Sequence, residues 1–453
     1  MADTELKRTI SSAGSQTKWG ASAWVKLLGA GTLNDTQAVY CSSKSDTTGN
    51  LRGIFITSDD KIQVAYYDGS YQFQVETNRL LRDPTAFYHL CIAYDSSQST
   101  AADRIKIYVN GVLETSFATS SYPAQNATYN FFGTDITQLV GSLREGSTIC
   151  NPCVISHLHV TDGYCYAASS YGETDTTTGE WKWKNPSGLT YGTNGFFILK
   201  DSNSVTDQSG ESNNFTVGAG TLTTTKDCPN NNICTLNPLH HNKENLSNGT
   251  IEYKHGNTQM KATNTAGNAV TLSTFAVDKG KYYCEAKLTA IGGAYPGIGI
   301  LGTNQSNSIY GSNEYIGKYS NGWTYGSNGS SYSLLNSDSW ASYGDSYTTG
   351  DYIGIALDMD NNKLYYSKNG TWQNSGTGIS ITAGKTYHFG CNGNNDCIWD
   401  WNFGNGVFGT TALTGTTYTG ADGNGIFKYD PNSITLDSTT KSFKSLSTKG
   451  LNA

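Results

Sequence analysis

Apolar residues recur at every second position through several short stretches of the chain, the period of a strand that buries one face. In Lys61–Tyr66, Ile62 and Val64 fall on one face while Lys61 and Gln63 fall on the other. Gly53–Ile56 precedes that strand across the Asp59-Asp60 turn, and Trp24-Val25 marks an earlier one. From Arg104 to Phe117 the pattern predicts a hairpin, because Ile105, Ile107 and Val109 line one face before Asn110-Gly111 reverses the chain. From Gly350 to Trp372, Ile353, Ile355, Leu357 and Met359 alternate with Tyr352, Gly354, Ala356 and Asp358. The Asp360-Asn361-Asn362 turn then returns the chain through Leu364 and Tyr366. Each such sheet is expected to bury one face and wet the other.

The alternation weakens from about Tyr166 to Asn237, where Gly, Thr, Asn and Ser dominate. This stretch is expected to be a loop-rich connector holding a few strands, since Trp181, Trp183, Phe196 and Phe197 need something to pack against. The expected organisation is a β-sandwich over residues 1–165, the connector over 166–240, a second β-sandwich over 241–410 and a C-terminal extension over 411–453. No heptad, collagen triplet or long repeat occurs, so self-association is expected through domain faces, with the protein a homo-oligomer or present in many copies.

Composition strengthens the all-β reading. The 453 residues are too many for one ordinary sandwich and suit two. Only 36% of residues are apolar, yet 12% are aromatic and 51 are Gly. Aromatic and β-branched side chains fit a pleated surface, while Gly and Asn supply turns of positive φ. Nine Asn-Gly dipeptides, among them Asn321-Gly322, Asn369-Gly370 and Asn405-Gly406, predict hairpins, and helices should be few and short.

A formal charge of −7 with no Lys/Arg cluster argues against nucleic acid or an anionic membrane as partner. The opening MADTELKRTI carries no apolar run of signal-peptide length, and no stretch approaches a membrane span, so synthesis in a cytoplasm without membrane insertion is expected. Without an export signal the ten cysteines are expected to be reduced. Cys228 and Cys234, which bracket part of the connector, are a candidate pair once the protein has left the cell. Cys150 and Cys153 form a single C-x-x-C with no second pair at zinc-finger spacing, which argues against a metal or redox site.

Some segments resemble known families. Phe87–Asp95 followed by RIKIYVNGVLETSF, with Val154–Tyr166 as a closing strand, resembles the laminin-G/concanavalin-A-like sandwiches. Gly350-Asp351, Ile353-Gly354, Leu357-Asp358, Asp360, Asn369-Gly370 and Asn402-Phe403-Gly404 match the SPRY pattern, and Lys279–Leu288 and Gly297–Ile300 fit its early strands. The connector and the final GIFKYDPNSITLDSTTKSFKSLSTKGLNA are similar to segments of tail-fibre-like structural proteins of tailed phages, often those infecting marine bacteria. The resemblances imply two antiparallel jelly-roll sandwiches in a virion structural protein. No fibrous shaft region is recognisable.

Concanavalin-like sandwiches also host glucanases, whose chemistry needs paired carboxylates on one strand, as in E-x-D-x-x-E. The nearest approach is Glu173-Thr174-Asp175, but Thr178 occupies the second Glu position, and the stretch reads as a turn. Asp358 and Asp360 stand two apart and offer oxygens to a calcium ion, although the turn beside them favours a structural role. His157 and His159 share a strand face and His240-His241 lie in the connector, without placed partners for a metal. No catalytic residue, metal or cofactor is expected. The favoured site is aromatic: Tyr319, Trp323, Tyr325, Trp340 and Trp372, in or beside a Gly/Asn/Ser-rich segment, offer ring faces on which sugars stack. In the SPRY resemblance the variable loops form the partner-binding face, which brings these residues together.

The function expected is a virion protein, a tail fibre or exterior appendage that binds host-surface glycan without catalysis and contacts other tail or capsid proteins. Three rivals are a decoration protein or fibre on the capsid shell, a glycan depolymerase and an intracellular SPRY adaptor.

Overall fold

The computed structural model describes residues 4–27, 36–44, 50–145, 148–149, 153–200, 204–222, 225–242, 249–263, 267–293, 296–311, 314–327 and 332–452. It divides into two compact units, Met1–Thr224 and Thr225–Ala453. Nearly all regular structure is antiparallel sheet, and the α-helix among the described residues is the short Thr448–Asn452.

In the first unit an eight-stranded sheet runs in the order Phe117–Ser121, Tyr71–Leu80, Lys61–Tyr67, Leu51–Ile56, Gln37–Lys44, Ile136–Val140, Glu5–Thr9 and Thr216–Ala219. The facing six-stranded sheet runs Phe196–Ile198, Cys153–Asp162, Lys18–Leu27, Tyr88–Asp95, Ile105–Val109 and Val112–Leu113. One core fills the space between them. Ile54, Ile62, Val64 and Phe73 from the first sheet meet Trp19, Val25, Ile92, Tyr94 and Ile107 from the second. Trp24 alternates with Val25 and so faces outward, where it stacks on His89 with centroids 4.8 Å apart.

The hairpin expected from Arg104 is shorter than its pattern suggested. Ile105, Ile107 and Val109 do point inward, and Asn110-Gly111 turns with φ of 48° and 79°. The returning strand, however, is only Val112–Leu113, and Phe117–Ser121 pairs instead in the opposite sheet.

The stretch expected to be a connector is largely part of the first unit. Phe196–Ile198 extends one sheet by pairing with Leu158–Val160, and Thr216–Ala219 extends the other by pairing with Glu5–Lys7. The Gly172–Thr174/Trp181–Trp183 hairpin covers the outer side of the six-stranded sheet, stacking Trp181 on His89 at 5.8 Å.

The second unit opposes two further sheets. One runs Leu236–His241, Ala269–Val277, Tyr387–Gly393, Gly297–Gly302, Gly322–Ser327, Tyr332–Asn336 and Ser339–Ala341. The other is built on Cys397–Asn402, Lys281–Ala290, Tyr352–Asp358 and Lys363–Lys368. Ile353, Ile355 and Leu357 enter the core, as alternation predicts, with Trp399, Trp401 and Phe389. The opposite face of that strand is not wet: Ala356, Tyr283 and Tyr365 pack against Phe427, Leu436 and Phe443 of the C-terminal stretch. The 411–453 segment is therefore a structural cover for the second sandwich.

Candidate functional site

The five aromatic residues singled out from sequence do not form one site. Trp323 and Tyr325 lie in the strand Gly322–Ser327, opposite Ile300 and Ile298, and their side chains enter the core. Trp323 packs edge-on against Tyr387 at 5.7 Å and is 6% exposed. Tyr325 is fully buried among Tyr343, Tyr347 and Tyr366, and its hydroxyl donates to the Asp345 carbonyl. Neither offers a face to a sugar, because the alternation Trp323-Thr324-Tyr325 belongs to a strand and not to a loop. Tyr319 is half-buried against a small apolar cluster and donates its hydroxyl to Glu314 Oε2 at 2.6 Å. Trp372 is half-buried on the other sheet of the unit, 6.3 Å from Tyr283.

Trp340 differs from the other four. It is 53% exposed, on the edge strand Ser339–Ala341. Its hairpin turns through Ser337 and Asp338, both with left-handed φ (52° and 59°), the backbone of a tight two-residue reversal. Asn336 Nδ2 donates to the carbonyls of Gly322 at 2.7 Å and Ser320 at 3.1 Å, and the Tyr315 hydroxyl donates to Asp338. These bonds fix the hairpin to the sheet. The Trp340 ring passes within 3.9 Å of the point where a Cβ on Gly326 would stand, so it lies against a glycine backbone on the outer face of the sheet. An exposed indole beside hydroxyl and amide groups can stack on the C–H face of a sugar while neighbours bond its hydroxyls.

Glu173 and Asp175 sit on the hairpin that covers the first unit, and both face Lys182, at 3.8 and 3.0 Å. The backbone N–H of Thr178, the Lys182 ammonium and the N–H of Thr177 hold the Asp175 carboxyl well below the usual carboxylate range. A carboxyl so held is a poor proton donor, which is what glycoside cleavage asks of one partner.

Asp358 and Asp360 do not converge on a cation site. Asp358 is buried, accepts from Asn361 N and Nδ2, and is paired with Lys441, whereas Asp360 accepts from Gly280 N. Among the described residues no cluster of three or more His, Cys, Asp or Glu could hold a metal. Cys150 of the C-x-x-C lies outside the described residues, and no disulfide joins Cys228 to Cys234.

The histidines pack as rings. His159 stacks on Phe197 at 3.7 Å and bonds the Tyr191 hydroxyl, while His157 lies 4.7 Å from Trp183. His240 and His241 belong to a strand, Leu236–His241, with His240 stacked on Tyr310. Sequence reasoning passed over His89, which lies among Trp24, Trp181 and Tyr171. Its tryptophan partners are far away in sequence, so no local pattern announces it.

Two family models agree with this architecture. The model for the "Concanavalin A-like lectin/glucanases superfamily" matches residues 7–145, and the SPRY domain model matches residues 281–403. Three solved structures align with the chain. The SPRY domain of human HERC1 is 14% identical with a TM-score of 0.29, covering 37% of this chain and 96% of that one. A human SPRY domain is 14% identical with a TM-score of 0.26, covering 34% and 96%. The TRIM65 PSpry domain is 10% identical with a TM-score of 0.30, covering 37% and 91%. Against the curated proteins the sequence finds no match. The chain thus carries a concanavalin A-like domain in its first unit and a SPRY domain in its second.

Proposed function

We propose that this chain is a virion structural protein of a tailed phage, a tail fibre or other exterior appendage, that binds host-surface glycan without catalysis. The observation that carries the glycan reading is Trp340, an indole held half in solvent on an edge hairpin whose turn and side-chain bonds fix its position. A sugar-stacking ring needs that combination of exposure and rigidity. The similarity of the connector and C-terminal segments to phage tail-fibre-like proteins supports the virion assignment.

A single exposed indole gives modest affinity, and many copies on one particle would raise it through avidity. The depolymerase reading is disfavoured by Thr178 at the position of the second glutamate and by the ion pair that commits Asp175 to Lys182. The test is a cryo-electron-microscopy reconstruction of the particle that encodes the chain. Density at the tail, with the Trp340 edge turned outward, is the expected result. Density at lattice positions on the shell would overturn the reading in favour of a decoration protein.

A further inference from the structure

At one end of the first sandwich the strand Glu5–Thr9 runs past the stretch 212–216, leaving an open cleft of about 400 Å³. Leu6 of this strand enters the core, and Arg8, two residues on, continues the same row to where the sandwich opens. The walls carry the hydroxyls of Thr9, Ser11, Ser212 and Thr216.

The Arg8 guanidinium is fastened by neutral groups only. Its Nη1 donates to Gln138 Oε1 at 2.6 Å, and its Nη2 donates to Asn213 Oδ1 and, at 3.5 Å, to Asn194 Oδ1. These amides are themselves buried and held: Gln138 Nε2 donates to the Tyr40 hydroxyl, Asn194 Nδ2 to Asp162, and Asn213 Nδ2 to the carbonyls of Thr193 and Gly195. Nearby carboxylates are committed elsewhere. Asp207 accepts from Phe197 N, Asn213 N and Ser209, and Asp162 accepts from Ser15 N and Asn194. Lys7, at the rim, is paired with Glu145 at 2.7 Å.

Arg8 therefore carries a positive charge with no carboxylate in contact among the described residues, Asp207 and Asp162 acting on it only through space, and its fork of five N–H groups has donors left over. A fixed guanidinium of this kind takes a planar carboxylate through two parallel bonds. The geometry points to this cleft as a binding site for an acidic saccharide, with a uronate carboxylate on Arg8 and ring hydroxyls among Thr9, Ser11, Ser212 and Thr216. The inference rests on the glycan-binding reading above and adds to it a second site, in the other unit from Trp340, that selects acidic sugars.

The test is isothermal titration of the full chain with three probes: trigalacturonate, neutral maltotriose and a sulfated trisaccharide. Arg8→Gln removes the charge. Thr9→Glu adds a repelling one at an exposed rim position and serves if Arg8→Gln lowers the melting temperature. Trigalacturonate is expected to bind at least tenfold more tightly than maltotriose, and each variant to lose at least tenfold. Trigalacturonate binding that survives both variants overturns this site while leaving glycan recognition intact. Preference for the sulfated probe overturns the carboxylate assignment. Failure of all three probes, followed by failure of a wider glycan panel, would bring down the glycan reading itself.

Discussion

Lys441 places its ammonium 3.0 Å from Asp358 Oδ2, and both side chains are almost sealed from water, at 9% and 0% exposure. The pair joins the C-terminal cover to the end of the strand Tyr352–Asp358 in the second unit. Asn361 donates to the same carboxylate from its N and Nδ2, and the Tyr365 ring lies 5.8 Å below the ammonium.

Because each charge is desolvated, removing one leaves the other uncompensated. Lys441→Met or Asp358→Asn should each cost the second unit about 3–5 kcal/mol, while the double substitution should recover much of that loss. Urea unfolding of the two single variants and the double variant checks this. Single losses near zero would mean that the cover contributes nothing through this pair.

Glu285 forms a second tie to the same cover. Its Oε1 accepts from the Tyr429 N–H and the Tyr283 hydroxyl, and its Oε2 accepts from the Lys428 N–H and Asn402 Nδ2. A glutamine must turn an NH2 toward a backbone N–H whichever way it is placed. Glu285→Gln should therefore cost about 1–3 kcal/mol despite its near-identical shape. Hydrogen exchange should show faster exchange at Lys428 and Tyr429. Unchanged exchange there would contradict the assignment.

His89 makes the first unit sensitive to acid. Trp181 Nε1 donates to its Nδ1 at 3.0 Å, so Nδ1 must be the acceptor and the proton resides on Nε2, which faces Ser22 Oγ at 2.8 Å. Burial pushes the ring's pKa down from 6.5 to about 3. The folded form stays neutral while the unfolded chain takes up a proton below 6.5. The ring's contribution is thus complete above about pH 6.5 and is lost as pH falls toward 3. Each pKa unit of that shift corresponds to about 1.4 kcal/mol. His89→Gln should flatten the fall in thermal stability between pH 6.5 and 4. An equally steep fall in the variant would show that other groups carry the effect.

Local chemistry in the sequence revealed the strands and several turns, among them Asp59-Asp60 and Asp360-Asn361-Asn362. Asn110-Gly111 and Asn369-Gly370 adopt the left-handed φ that the dipeptide favours. Asn321-Gly322 does not, and its glycine serves a close approach instead, since a Cβ there would stand 1.8 Å from the Ile316 carbonyl oxygen. The few strands expected in the connector are there, but their pairing into the first sandwich was not legible, because those strands are only three or four residues long, too short for alternation to register. Trp323 and Tyr325 misled because their Gly/Asn/Ser-rich surroundings resemble a loop, although the two rings alternate as a strand requires. Trp340, from the same group, is exposed as a stacking residue must be. Arg8 gave no signal: its amide partners Asn194 and Asn213 lie 186 and 205 residues away.

Glycan recognition through Trp340 is tested by pairing binding with stability. The full chain, Trp340→Ala and Trp323→Ala, each carrying Arg8→Gln so that the cleft of the first unit does not contribute, would be titrated against a panel of neutral and acidic oligosaccharides, with a melting curve for each protein. Trp340→Ala should weaken the bound glycan at least fivefold and change stability by no more than about 0.5 kcal/mol, as expected of an exposed position. Trp323→Ala should lose about 3–5 kcal/mol through the core cavity it opens. Unchanged binding by Trp340→Ala, with a normal melt, would show that Trp340 does not carry glycan recognition.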